Sequence, residues 1–170
     1  MDRLSAGVQE FLDHWRSLPR VGLVPHIRDY LDRPVAHLQP NVLLLDVVSA
    51  SQLEVRLVGT RLVDLTGREI TRTNVLENYP ENLRAAVGKA CLTMVNHPCG
   101  QVSKRAIRTS GGSLVSASSI ALPIKIDRAV PGCVVAYTEL HAPIDDDGVM
   151  MMVQRITDRE WVDIGGGIPS

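Results

Sequence analysis

The chain has no long apolar run. Its longest uninterrupted apolar stretches, Cys133–Tyr137 and Val149–Val153, fall far short of the ~20 residues a membrane-spanning helix needs. It has no excess of charge: eighteen Lys and Arg stand against nineteen Asp and Glu, a formal charge of −1. That balance excludes a broad cationic field for nucleic acid or anionic lipid. Lys104, Arg105 and Arg108 lie on an expected strand whose alternation sends them to both faces, so they make no local patch either. Cysteine is scarce. Cys91, Cys99 and Cys133 are odd in number and form no CxxC pair, which points to reduced thiols in a cytoplasm and to small apolar fillers rather than zinc ligands. The histidines, His14, His26, His37, His97 and His141, show no HxxxH or HExxH spacing. Ser116, Ser118 and Ser119 fall on an expected strand, not on a GxSxG elbow. Asp145-Asp146-Asp147 lacks the remaining spacing of a calcium loop and reads as a solvated turn. Gly165-Gly166-Gly167 follows no strand–helix unit and reads as a flexible end. The amphipathic, acid-bearing start MDRLSAGVQEFLDHW is not a signal peptide. Metal, serine-hydrolase and membrane classes therefore drop out. What is left is an expected cytoplasmic domain with an ordinary apolar share of 45% and few aromatics, 4%. At 170 residues it is most simply one domain, burying roughly 70% of its unfolded surface.

What is present begins with Leu53–Ile70, LEVRLVGTRLVDLTGREI. Leu53, Val55 and Leu57 alternate with Glu54, Arg56 and Val58, the period of a strand buried mainly on one face. Gly59 ends it, Leu62, Val63 and Leu65 predict a short helix, and Gly67 permits the next reversal. Before it, Leu4, Val8, Phe11, Leu12, Trp15 and Leu18 recur at helical spacing, with Asp2 or Ser5 as cap and Pro19 as stop. That stripe must cover a sheet face or meet a second copy of itself. Two short helices are expected at Pro25–Leu31 and Asp32–Leu38. Asn41–Val48, apolar except for Asp46, predicts a strand buried on both sides. The stretch from Arg68 to Tyr79 reads as loop with a possible short helix, and Pro80 opens the longest internal helix, to about Asn96. Strands follow at Gly100–Arg108, Ser113–Ile126 and Cys133–Leu140, joined by connections short enough for an antiparallel meander. Pro123 marks an edge or a bulge.

This order, with Trp15-Arg16 and Pro19, Gly22-Leu23-Val24-Pro25 and Arg28-Asp29, Arg56-Leu57-Val58-Gly59-Thr60, Gly67-Arg68-Glu69 and Arg159-Glu160-Trp161-Val162-Asp163-Ile164, resembles the PAS family. The likeness is to a small stand-alone alphaproteobacterial subfamily and covers about residues 10–140 plus the last motif. It implies an α+β fold, a five-stranded antiparallel sheet with helices on one face and an N-terminal amphipathic helix. The expected division is an N-terminal helical extension over 1–40, a PAS-like core over 41–141 and a C-terminal tail over 142–170. The resemblance also implies a sensory, non-enzymatic module in intracellular signalling. No output domain is recognisable in the chain, so the expected output is contact with a signalling protein or a homodimer. The competing architecture is a cone-shaped α+β barrel enzyme, which would need a His–Asp pair inside the cone.

A pocket is expected between the long helix and the inner sheet face. Leu83, Val87, Cys91 and Met94 would line it from the helix, and Leu53, Val55, Leu57, Ser118 and Tyr137 from the sheet, to take a small apolar ligand; a filled core is the alternative. The cofactors of other PAS sensors fit poorly. His97 stands at the helix end before a proline, unsuited to haem, and Glu77-Asn78-Tyr79-Pro80 holds no cysteine for flavin photochemistry. Two polar candidates remain. Arg56 is expected to be exposed beside Glu54, where an ion pair would contribute about 0–1 kcal/mol. Arg68 could pair with Glu69 or Asp64, or bind an anion. Phe11, Trp15 and Leu18 are the candidate dimer contact.

Overall fold

The computed structural model describes residues 4–128, 131–141 and 151–170. Asp2, the Asp145–Asp147 turn and the start of the Val149–Val153 run lie outside the described residues. Six strands form one antiparallel sheet: β1 (Val42–Ser49), β2 (Gln52–Val58), β3 (Gly100–Thr109), β4 (Leu114–Ile124), β5 (Gly132–Leu140) and β6 (Met151–Val162). Their spatial order is β2-β1-β5-β4-β3-β6. The helices are α1 (Ala6–Ser17), α2 (Ile27–Leu31), α3 (Thr60–Thr66) and α4 (Glu81–Asn96), with 3-10 turns at Gln39–Asn41 and Val75–Asn78. Among the described residues the sheet stops at β2 on one side and β6 on the other, an open sheet and not a closed cone.

Strand alternation divides the apolar residues between two cores. Val42 and Leu44 of β1 and Cys133 and Val135 of β5 join Val8, Phe11, Leu12 and Trp15 under α1. Leu45, Val47 and Val134 point the other way and join Leu53, Val55, Cys91 and Met94 under α4. The stripe on α1 is used up inside the fold. Phe11 stacks on Tyr137 with ring centroids 5.3 Å apart, and the Trp15 indole donates to the carbonyl of Pro123 at 3.1 Å. Phe11, Trp15 and Leu18 are at most 3% exposed, which removes the reason for placing a dimer contact there. Asp32–Leu38 forms turns, not the second short helix expected of it.

Two strands depart from simple alternation. On β2, Leu57 pairs with Leu44 and Val55 with Leu45, so Arg56 is the extra residue of a bulge. The bulge reverses parity: Leu57 leaves the face of Leu53 and Val55 and stands 38% exposed on the α1 side. On β3, pairing with β6 slips between Val102 and Lys104 and again between Ala106 and Ile107, and Asp158 of β6 has a positive φ of 48°. These breaks scramble the period of two along Met151–Val162. The segment expected as part of a tail is therefore a twelve-residue edge strand, making the sheet six-stranded, not five-stranded. Pro123 sits on β4 beyond the last residue that β3 pairs with, Ala121, so its missing N–H breaks no ladder bond on that side.

Candidate ligand cleft and the residues around it

The stretch from Gly67 to Tyr79 is routed over the α4-bearing face by specific polar contacts. Gly67, at φ 66°, caps α3 in the left-handed region and turns the chain back. The loop then pairs with the outer edge of β2: Arg72 N–H donates to the Val55 carbonyl at 2.7 Å, and Val55 N–H to the Thr73 carbonyl at 2.9 Å. Asn74 staples the next turn. Its Oδ1 accepts from Leu53 N–H at 3.1 Å and from Leu76 N–H at 3.2 Å, and its Nδ2 donates to the Ser51 carbonyl at 2.9 Å. The result is a bridge of chain standing off the sheet, with a cleft of about 110 Å³ beneath it.

The cleft is lined by Leu62, Leu65 and Thr66 of α3, by Ile70, Val75, Asn78 and Tyr79 of the bridge, and by Leu43, Arg105, Ile107, Thr138, Leu140 and Val153 of the sheet. Most of that wall is apolar. Thr66, Asn78 and Thr138 are polar, and Arg105 is its charged member. Its Nη1 donates to the Tyr79 hydroxyl at 3.0 Å and its guanidinium carbon lies 5.9 Å from the Tyr79 ring centroid. Its Nε–H is sealed from solvent with no acceptor. Asn78 repeats the pattern: Oδ1 accepts from Arg68 Nη2 at 2.7 Å, while Nδ2 is sealed and unpartnered. An unsatisfied buried donor costs about 1–3 kcal/mol, and neither atom has room beside it for even a water oxygen.

The helix residues expected to line a pocket behave differently. Cys91 and Met94 are buried in the core with Leu53 and Val55, and Leu83 and Val87 pack at its margin. They fill space under α4, and the cleft lies beyond them, under α3. Ser118 and Tyr137 are on the opposite face: Tyr137 belongs to the α1 core, and Ser118 bonds His141 Nε2 at 2.7 Å in an exposed pair. Burial raises the Cys91 and Cys133 thiols to about 12 and Cys99 to about 11. Arg105's charge opposes the rise at Cys91. These are inert thiols. His97 caps α4 and its Nε2 lies 3.3 Å from the Gly167 carbonyl, away from the cleft lining. Arg68 pairs with neither Glu69 nor Asp64 but with Asn78.

Arg56 is not a free surface residue. Its Nε and Nη2 both donate to Asp46 Oδ1, and Arg128 Nη1 lies 3.4 Å from Oδ2. The Asp46 side chain is only 6% exposed. Arg56, the bulge residue, bonds Asp46, which lies directly opposite Glu54 on β1, in place of the expected pairing with Glu54 itself.

No local motif marks Arg105, Asn78 or Tyr79 in the sequence. Parity along β3 was the available signal, since Arg105 alternates in step with the buried Ser103 and Ile107. Among the described residues no group of three or more His, Cys, Asp or Glu could hold a metal, and no helix is long and apolar enough to cross a membrane.

An antiparallel sheet running β2-β1-β5-β4-β3, with short helical segments arched over a small cleft and a long helix beside it, defines an α+β sensor-type module. The PAS domain family model matches residues 3–134, and the chain belongs to that family. Strand β6 lies past the matched span and adds to the sheet's β3 edge. No curated protein matches the chain. PAS domains are sensory and regulatory modules, typically without catalysis of their own.

Proposed function

We propose that this PAS domain senses a small, largely apolar ligand held in the cleft under α3, and passes the result on by contact with another protein, a second copy included. The observation that carries the reading is the mostly apolar cleft left unfilled among Leu43, Leu62, Leu65, Ile70 and Ile107. Size narrows the ligand. A cleft of about 110 Å³ is smaller than the roughly 150 Å³ cavity that accepts benzene, and is far too small to enclose haem or a flavin.

Asn78 joins the cleft to the surface. Its Oδ1 holds the exposed Arg68, so a ligand that engages the Asn78 amide also acts on the loop carrying Arg68. Arg72, a non-glycine residue at φ 65°, lies in the same loop. That loop is the natural place for an internal occupant to alter an external contact. Ligand-observed NMR with small aromatic and aliphatic fragments tests the reading. Fragments should bind the wild-type chain and protect the amides of α3 and of residues 70–78 from exchange. Leu65→Trp, which fills the cleft, should abolish both effects. Absence of binding by every fragment would refute the proposal.

A further inference from the structure

We infer that the groove where β4 leaves the sheet, between the loop over residues 19–25 and the end of α4, docks an amphipathic helix of a partner protein whose apolar stripe is flanked by Asp or Glu. This rests on the reading that the domain acts by contact with another protein, and it states where that contact falls and what it recognises.

The loop is braced, and what it holds out is apolar. Arg20 lies over the Trp15 ring, its guanidinium carbon 5.0 Å from the centroid, and its terminal nitrogens donate to the carbonyls of Arg16 and Leu23. Gly22, at φ 83°, takes the left-handed turn between them. At the far end, Lys125 N–H donates to the Pro25 carbonyl and Ile27 N–H to the Lys125 carbonyl, both at 2.9 Å. Held at both ends, the loop leaves Val21 96% exposed and Leu23 38% exposed. Beside them runs a groove of about 430 Å³, lined also by Val95 and Pro98 at the end of α4 and by Ile124 and Ile126. Packing within the chain gives no reason to brace a loop that offers valine to water, whereas an apolar contact with a partner does. Charge and shape then select that partner. Lys125 and Arg128 are the charged residues of the described lining, and no acid joins them. Among the described residues no carboxylate lies within ion-pair distance of Lys125, and Arg128, 65% exposed, meets Asp46 through one nitrogen at 3.4 Å. Asp127 turns away onto His26 at 3.1 Å. An acidic flank complements this rim, whereas a second copy would set one basic rim against another. The Lys125 backbone is already taken by Pro25 and Ile27, so an extended strand finds no open ladder there and a helix is the form that fits. A flat bilayer would not fill a concave groove.

Two synthetic peptides of about 18 residues, long enough to populate a helix, serve as probes. One carries leucines at helical spacing with glutamates beside them, and in the other every glutamate is lysine. Titrated at low salt into the isotope-labelled full chain and followed by NMR, the glutamate peptide should shift the amides around Val21, Val95 and Lys125. It should bind about ten-fold more tightly than the lysine peptide, and Lys125→Glu should bring the two within about two-fold of each other. Val21→Asp, at a site in solvent, should weaken the glutamate peptide about ten-fold without changing the circular dichroism. Lys125→Glu decides alone if Val21→Asp disturbs the fold. Equal affinity of the two peptides for wild type, shifts confined to another face, no binding of the glutamate peptide, or indifference to the substitutions overturns this docking site. So does binding to phosphatidylcholine–phosphatidylserine vesicles that Val21→Asp removes, which assigns the loop to a membrane, or a dimer mass that Val21→Asp halves, which assigns it to a second copy. Fragments that bind under α3 while neither peptide binds leave the ligand reading standing without this groove, and peptide binding without fragment binding does the reverse.

Discussion

Arg56 grips Asp46 across the β1–β2 pair through two nitrogens, Nε at 2.9 Å and Nη2 at 2.7 Å, both on the same carboxylate oxygen. The two sides of this contact are unequally placed. The Asp46 side chain is 6% exposed and Arg56 28%, with Arg128, mostly in solvent, on the second oxygen at 3.4 Å. Removing Arg56 strands a buried carboxylate with one long contact. Removing Asp46 leaves two guanidinium groups that can turn to water. Arg56→Met should therefore lower the unfolding free energy by about 2–4 kcal/mol and Asp46→Asn by only about 1–2 kcal/mol. Urea denaturation of both variants reads the difference directly, and equal losses would mean the carboxylate is better solvated than its burial suggests.

The position of Trp15 makes a second prediction, about mass and stability. Its ring is fully buried and its indole N–H is satisfied by Pro123 within the same chain. Trp15→Ala should cost about 3–5 kcal/mol through the cavity it opens. At a temperature where the variant is still folded, light scattering should give the same mass as wild type. A drop in mass without a loss of thermal stability would instead return α1 to the role of an intermolecular contact.

What could be read from the chain beforehand follows from which rules stay local. The α1 stripe, the α3 turn, the long helix and the strand meander obey spacing within a few residues, and all stand close to their expected positions. Parity fails where a bulge intervenes, and a bulge is a property of two strands, not of one. Simple alternation therefore puts Leu57 on the wrong face. Strand β6 is hidden for the same reason, since two slips against β3 and a left-handed Asp158 break its alternation. Tyr137 and Ser118 alternate correctly along their strands, but nothing local says which helix covers which face. The cleft depends on how Asn74 pins a loop to β2, a contact twenty-one residues apart in sequence. Its key cation, Arg105, was visible only as one member of an ordinary basic triplet.

Close packing of α4 on the first hairpin gives a prediction at a single methyl group. Gly88 is buried, and a Cβ there would run into the backbone carbonyl of Ala50. In most helices Gly→Ala gains up to about 1 kcal/mol from propensity. Here the backbone of the hairpin would have to move, so Gly88→Ala should destabilise by about 1–3 kcal/mol. Melting temperature compared with Ala85→Gly, an exposed site on the same helix, separates packing from propensity. A stabilised Gly88→Ala would show that α4 can lift away from the hairpin freely.

The buried thiols predict how the fold responds to alkali. Cys91 and Cys133 ionise in the native state only near about 12, against an ordinary 9.0, because burial disfavours the thiolate. In the unfolded chain both release their protons as pH passes 9, and that release stabilises the unfolded state. A group whose folded value is raised contributes its full stability below the unfolded value. That stability is then lost as pH climbs towards the folded one. The window is therefore pH 9 to 12, and by pH 10 each thiol should have withdrawn about 1 kcal/mol. Urea midpoints at pH 7.5, 9 and 10 should fall more steeply for wild type than for the Cys91→Ala/Cys133→Ala double variant, whose remaining slope comes from the other titrating groups. Neither thiol should react with Ellman's reagent until urea unfolds the chain. Parallel slopes for the two proteins, or fast thiol labelling at pH 8 without denaturant, would contradict the burial of these side chains against the sheet.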